Sequence, residues 1–166
     1  PTDMTPLWQP GACVRGDVLA FPESGGGWLV FGAAFTGQSV PGVFMTLILS
    51  SGLENARNVA PPDRPDLLLG HINHFIKQTL GQSHQSHQTS TSNDGCDATA
   101  MFIDRSEHRL FWAGARLSGF LLPAGGHETV VLSADRMGVG YTETPQDYCW
   151  TLHEMPLSAQ GLLFIF

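Results

Sequence analysis

Ala33-Ala34-Phe35-Thr36-Gly37-Gln38-Ser39-Val40-Pro41-Gly42, continued by Val43-Phe44-Met45-Thr46, is the stretch that decides how this chain folds. Ahead of it, Trp28 to Ala33 has strand character and follows the turn signal Ser24-Gly25-Gly26-Gly27. Behind it, Val43, Phe44, Met45, Leu47, Ile48, Leu49 and Leu53 cover every side of a helical wheel. That distribution predicts a helix buried on most faces, with Pro41 tolerated in its first turn. The small residues in between mark a strand-to-helix junction with more character than a generic core.

Towards the N-terminus, Val18 to Phe21 reads as a short strand and Met4 to Trp8 as a weak one, so the chain opens as a meander. Towards the C-terminus a second helix is predicted from Pro65 to Leu80, with Asp63 as N-cap, Pro65 in the first turn and Gly81 just past the end. Leu68, Ile72, Phe75, Ile76 and Leu80 share one face of it, and His71, His74, Lys77 and Gln78 the other. Gln82 to Asn93 is built almost wholly from Gln, Ser, His, Thr and Asn and cannot bury enough apolar surface to order itself. Residues 82–93 are therefore expected to form an exposed polar loop inside the domain.

Strand character then returns at Ala98 to Asp104, Arg109 to Ala113, Gly119 to Leu122, Thr129 to Leu132, Tyr148 to His153 and Leu162 to Phe166. Ser106-Glu107-His108 and Pro123 to His127 supply hairpin turns. No period of roughly 20 to 50 residues repeats, so a solenoid or propeller is not indicated. Strands, two central helices, then strands in neighbouring antiparallel hairpins point to an α+β layered architecture.

With 166 residues the chain fits one domain, residues 1–166. Hydrophobic residues make up 42% and charged residues 14%, which excludes disorder of the whole chain. Eight Lys and Arg face fifteen Asp and Glu, for a formal charge of −7, and no basic cluster occurs. Nucleic acid is thus not an expected partner, since the phosphate backbone would meet no electrostatic footprint. No apolar run reaches the roughly 18 uncharged residues that span a bilayer, so a membrane-spanning segment is not expected. The chain opens Pro1-Thr2-Asp3 without initiator Met or secretory leader and is expected to be a fragment of a longer, cytoplasmic protein. Cys13, Cys96 and Cys149 lie far apart and never form C-x-x-C, which argues against a disulfide framework or thiolate zinc site.

Three stretches carry candidate chemistry: Val14-Arg15-Gly16-Asp17 at the start of a strand, the junction Ala33 to Gly42, and Asn93-Asp94-Gly95-Cys96-Asp97 leading into a strand. Carboxylates at strand ends that converge across a sheet are a normal way to hold Mg²⁺ or Mn²⁺, which prefer oxygen ligands. Together and in this order, the stretches resemble the metal-dependent PPM-type protein serine/threonine phosphatases, in the bacterial branch of the sporulation stage II E and RsbU-type regulators. That branch shows V-G-G-D, then D-C-T-G-H-G-V-P-G-A-F-M-T, then D-G-M-D, then Y-A-G-A, then a G-D-R plus I-G segment. The stretches here that correspond are Val14 to Asp17, Ala34 to Thr46, Asp94 to Asp97, Trp112 to Ala115 and Ala134 to Tyr141. The run from Val40 to Thr46 is the most specific.

The resemblance implies a four-layer α-β-β-α sandwich of two antiparallel sheets flanked by helices. It also implies a pair of metal ions, Mg or Mn, between the sheets at one end, where a metal-held water attacks a phosphoserine or phosphothreonine. By motif position Asp17 would bridge the ions and Asp97 would ligate the second, with Gly16, Thr36, Gly37 and Asp94 as further motif equivalents. The departures are as telling. Ala34 stands where the family has the Asp of D-C-T-G-H-G, Gln38-Ser39 replace its His-Gly, and Arg15 takes the place of the first Gly of V-G-G-D. Phe164-Ile165-Phe166 falls where a further ligand motif, S/T-D-G-x-x-D, would begin.

A methyl group cannot ligate a metal, so binding of two ions is expected to be weak or absent. The expected function is a degenerate phosphatase-like (pseudophosphatase) domain that binds a protein partner, of the STAS signalling type, or a second copy of itself. The alternative is an active Mg/Mn-dependent phosphatase acting on an anti-sigma-factor-antagonist type of partner. Of the remaining features, His71 with His74 and His84 with His87 lack the third and fourth ligands of a zinc site and are expected to face solvent. Phe111, Trp112, Tyr148 and Trp150 are expected to pack in the core or sheet, and Asp135-Arg136 to form a turn.

Overall fold

Alternation along the central strands sorts their side chains into two apolar surfaces, and the smaller residues on one of them let helices lie close. The computed structural model describes residues 16–22, 27–35, 42–82, 93–123, 128–157 and 161–165. In chain order its elements are β1 (Gly16–Pro22), β2 (Trp28–Phe35), α1 (Gly42–Arg57), α2 (Pro65–Leu80), β3 (Cys96–Asp104), β4 (Arg109–Ala115), β5 (Gly119–Pro123), β6 (Val130–Leu132), β7 (His153–Pro156) and β8 (Gly161–Ile165). The expected strand over Met4 to Trp8 lies outside the described residues, as do Cys13, His84 and His87.

One antiparallel sheet runs β1-β2-β3-β4-β7 and the other β6-β5-β8. Ala33, Ala98, Ala100, Ala113 and Ala115 form much of the helix-facing surface of the larger sheet. Leu49, Leu53 and Ala56 of α1 pack over it together with Leu68, Leu69, Ile72 and Ile76 of α2. On the opposite face Val30, Met101, Leu110 and Trp112 meet Leu121 and Leu132 of the smaller sheet. The chain is thus an α+β sandwich of two antiparallel sheets, and among the described residues its layers run helices, sheet, sheet. Among the described residues no helix is long and apolar enough to cross a membrane.

Several local expectations are corrected. Helix α1 buries only one stripe, Met45, Leu49, Gly52, Leu53 and Ala56, while Val43, Phe44 and Leu47 are 70%, 59% and 60% exposed. A helix resting on the outside of a sheet has one face to bury, whatever the residues on the other. Helix α2 is not capped by Asp63: Arg64 holds the N-cap position without a side-chain cap and instead grips Asp66 through Nε (2.9 Å) and Nη2 (2.6 Å). Its C-terminus does end at Gly81, whose φ of 66° suits a residue without Cβ. Lys77, expected on the solvent face, is fully buried, and so is Asn73 one turn before it.

Gln82 is also buried rather than the first residue of an exposed loop, because its amide has three backbone partners: its Nε2 donates to the carbonyls of Asp94 (2.9 Å) and Gly140 (2.8 Å), and the Asp94 N–H donates to its Oε1 (3.0 Å). Residues 83–92 lie outside the described residues. The last strand of the larger sheet is His153–Pro156, not Tyr148 to His153. Tyr148 and Trp150 instead stack edge to face at 5.0 Å, and the Trp150 indole N–H donates to the Met137 carbonyl (2.9 Å), an aromatic anchor that needs no strand.

Candidate functional site

Backbone register brings the motif stretches to one end of the larger sheet. Gly16 pairs with Ala34 and Ala34 with Asp97, so the three form a row across β1, β2 and β3. Asp17 pairs with Ala33, one step along the strand from that row. Residues 36–41, which hold Thr36, Gly37, Gln38 and Ser39, lie outside the described residues. Asp94 is fully buried just ahead of β3.

Around Asp97 the second half of the chain closes in. The 135–139 segment crosses the sheet end: Cys96 and Val139 exchange backbone hydrogen bonds of 2.9 and 2.8 Å, the Asp135 N–H donates to the Gly114 carbonyl (2.9 Å), and the Arg116 N–H donates to the Asp135 carbonyl (2.8 Å). Arg116 follows β4 in a left-handed conformation, φ 63°. Its guanidinium donates through Nε to the Arg136 carbonyl (3.0 Å) and through Nη2 to Glu143 (3.0 Å), lies 4.8 Å from the centre of the Tyr141 ring, and sets Nη1 3.8 Å from Asp97 Oδ1. The Tyr141 hydroxyl donates to the same oxygen at 3.4 Å.

Burial pushes the Asp97 carboxyl up, and the Arg116 charge and Tyr141 hydroxyl only partly offset it. Glu143 also suffers from burial, yet the hydrogen bonds from its own backbone N–H, from Arg116 and from Asn93 outweigh that and hold it below the usual range. Among the described residues no three or more His, Cys, Asp or Glu side chains come together in a group able to hold a metal ion.

A buried polar face of α2 holds this end of the molecule in place. Asn73 Nδ2 donates to the Pro145 (3.0 Å) and Gln146 (3.3 Å) carbonyls, while its Oδ1 accepts from the Gly140 N–H (2.9 Å). Lys77 Nζ donates to the Tyr141 carbonyl at 2.7 Å. Desolvation pulls the Lys77 ammonium down, with the Glu143 charge acting the other way. Thr144, buried, donates to the Gly138 carbonyl (2.8 Å). The segment that delivers Tyr141 to Asp97 and Glu143 to Arg116 is thereby fastened to a helix.

Folds of this arrangement are known. Over 92% of its length the chain is similar to the SiaA-PP2C domain of Pseudomonas aeruginosa, at 25% identity and a TM-score of 0.69, and spans 55% of that chain. The PP2C phosphatase domain of SpoIIE from Bacillus subtilis, solved with a fragment of its regulatory domain, is similar over 89% of this chain and 39% of that one, at 13% identity and a TM-score of 0.62. The catalytic domain of the serine/threonine protein phosphatase PstP, in complex with two manganese ions, matches over 95% and 72%, at 15% identity and a TM-score of 0.62.

The fold is that of the PP2C (PPM-type) phosphatases. No protein-family model matches the sequence, and no curated protein does.

On this PP2C framework, the sequence-predicted Gly16, Ala34 and Asp97 meet in one row. The histidine pair of α2 is exposed, with His74 Nδ1 2.6 Å from the Gln146 amide nitrogen. Asp135 does more than close a local turn: its Oδ2 accepts from the Thr151 N–H (2.9 Å) and the Tyr148 hydroxyl (3.4 Å). Sequence reasoning missed Arg116, Glu143 and the polar face of α2. Asn73 and Lys77 follow Leu69 at spacings of four, a row that could have been read as inward-facing.

Proposed function

We propose that this PP2C-type domain is a pseudophosphatase, a phosphatase scaffold without the chemistry that serves as a protein-binding module in bacterial signalling. One observation supports it above the others: Ala34 is the cross-strand partner of Asp97, and a guanidinium stands against that carboxylate. In the family this row would supply acids to both metal ions, with Asp17 bridging them. Two divalent cations about 3.5–4 Å apart need converging oxygen donors to offset their mutual repulsion. A methyl group and an already paired carboxylate do not fit that demand, so Mg or Mn binding at Asp17 and Asp97 is weak or absent.

The partner we propose is a signalling protein of the STAS type or a second copy of the chain, and the setting is cytoplasmic, with residues 1–166 as one domain of a longer protein. Likeness to the SpoIIE structure, which holds a phosphatase domain with part of a regulatory domain, favours such a context. The test is calorimetric titration with Mn²⁺ beside p-nitrophenyl phosphate turnover on the unmodified protein. The expected outcome is no turnover above the blank and no micromolar two-ion binding. Clear turnover or tight binding of two ions would overturn this reading and favour the alternative, an active Mg/Mn-dependent serine/threonine phosphatase.

A further inference from the structure

We infer that Arg116 is the resident counter-ion of Asp97, a guanidinium built into the place where the fold's divalent cation would act. The inference rests on the reading of Asp97 as a metal-ligand position and extends it from a missing ligand to an occupied charge site. Arg116 Nη1 lies 3.8 Å from Asp97 Oδ1, within ion-pair reach. Three contacts other than Asp97 hold the guanidinium there: Nε on the Arg136 carbonyl, Nη2 on Glu143 and the ring face of Tyr141. Its backbone N–H is fixed on Asp135, and its φ of 63° is one that side chains other than Gly adopt rarely. A side chain held from so many directions has not swung to the carboxylate by chance.

The consequence is electrostatic competition. A guanidinium stays charged at every accessible pH, so it cannot step aside by losing a proton, as a lysine can. A divalent cation approaching Asp97 would meet the +1 charge of Arg116 at a few ångströms, a separation at which repulsion persists even with solvent nearby. The half-buried Asp97 in turn has its negative charge offset in part by Arg116, which it shares with Glu143. Arg116 therefore opposes cation binding even if the missing acid is restored.

Four proteins test this by Mn²⁺ dissociation constants from electron paramagnetic resonance of free Mn²⁺: unmodified, Ala34→Asp, Ala34→Asp with Arg116→Gln, and Ala34→Asp with Arg116→Lys. The Gln double variant should bind Mn²⁺ about tenfold or more tightly than Ala34→Asp alone, the order expected on removing a unit charge so close to the site. The Lys double variant, which keeps the charge, should stay near the Ala34→Asp value. Equal affinity of Ala34→Asp and the Gln double variant would overturn the counter-ion role while leaving the pseudophosphatase reading intact. Tight two-ion binding by the unmodified protein would overturn that reading instead. Circular dichroism checks folding, and should the Gln variant not fold, a Lys variant that binds as tightly as expected for Gln would refute the inference by itself.

Discussion

Replacing Asn73 by Ala should cost far more stability than its single side chain suggests. The amide is fully buried and serves three backbone groups: the carbonyls of Pro145 and Gln146 and the N–H of Gly140. The Pro145 carbonyl also accepts from the Tyr148 N–H (3.2 Å) and keeps a partner, but Gly140 is buried and its N–H would be left without its own. The orphaned Gly140 donor costs about 1–3 kcal/mol and the lost Gln146 bond about 1 kcal/mol net, so the sum is roughly 2–4 kcal/mol. For a chain of this length that corresponds to a fall in Tm of roughly 5–15 °C. Urea unfolding followed by circular dichroism measures it, with the exposed Gln78→Ala as a control expected within about 0.5 kcal/mol of the parent. Because the same segment carries Tyr141 to Asp97, hydrogen exchange at Gly140 and Tyr141 should quicken more than the global loss accounts for. A stability loss for Asn73→Ala no larger than the control's would refute the idea that α2 fastens this end of the sheet.

Three further outcomes are expected. The buried Cys96 thiol is pushed up to about 12 by desolvation, with the Asp97 charge adding, against an ordinary 9.0. Its unfolded form ionises first, so stability present below pH 9 is lost as pH rises towards 12, at about 1.4 kcal/mol per pH unit. Lys77, pulled down by burial, works in the opposite sense, the unfolded chain holding that proton longer, so stability rises with pH on approach to 10.5. Comparing the parent with Cys96→Ala cancels the Lys77 contribution, and identical alkaline slopes would sink the Cys96 assignment. Gly140→Ala should destabilise by at least about 1 kcal/mol in thermal melts, since φ is 89° and a Cβ would stand 2.5 Å from Ile76 Cγ2; an unchanged Tm would count against it. Leu53→Ala, at 1% exposure, should cost about 2–5 kcal/mol in urea titrations, whereas Leu47→Ala, at 60%, should change little, and similar losses would mean that the outer face of α1 is covered.

Much of the fold was legible because apolar spacing reports which face of a strand or helix is buried. The strands from β2 to β5, the positions of both helices and the Gly81 stop all follow from local pattern and turn chemistry. What pattern cannot supply is whether an apolar face has a neighbour, and so Val43, Phe44 and Leu47 read as core although they are exposed. The converse error befell Lys77, whose charge reads as a solvent signal although a carbonyl 64 positions away receives its ammonium. Tyr148 and Trp150 read as strand through aromatic propensity, whereas their role is to anchor a loop. At the candidate site, the motif order brought Ala34 and Asp97 into one frame. Arg116 escaped notice because its approach depends on a left-handed turn and a distant segment crossing the sheet end, neither of which leaves a periodic trace.

The Gln82 amide has a consequence for how this protein can vary. It joins the end of α2 to the start of β3 by binding both backbone groups of Asp94, so the geometry of that junction is set without reference to what lies between. Doubling the length of a flexible connection costs only about 0.6 kcal/mol in closure entropy. A protease site, an epitope or a whole reporter domain spliced between residues 83 and 92 should therefore leave the sandwich standing, provided that Gln82 is kept along with Asn93, whose Oδ1 accepts from the Thr142 N–H. Two amide side chains, one at each end, thus decide what the connection must preserve when it is lengthened.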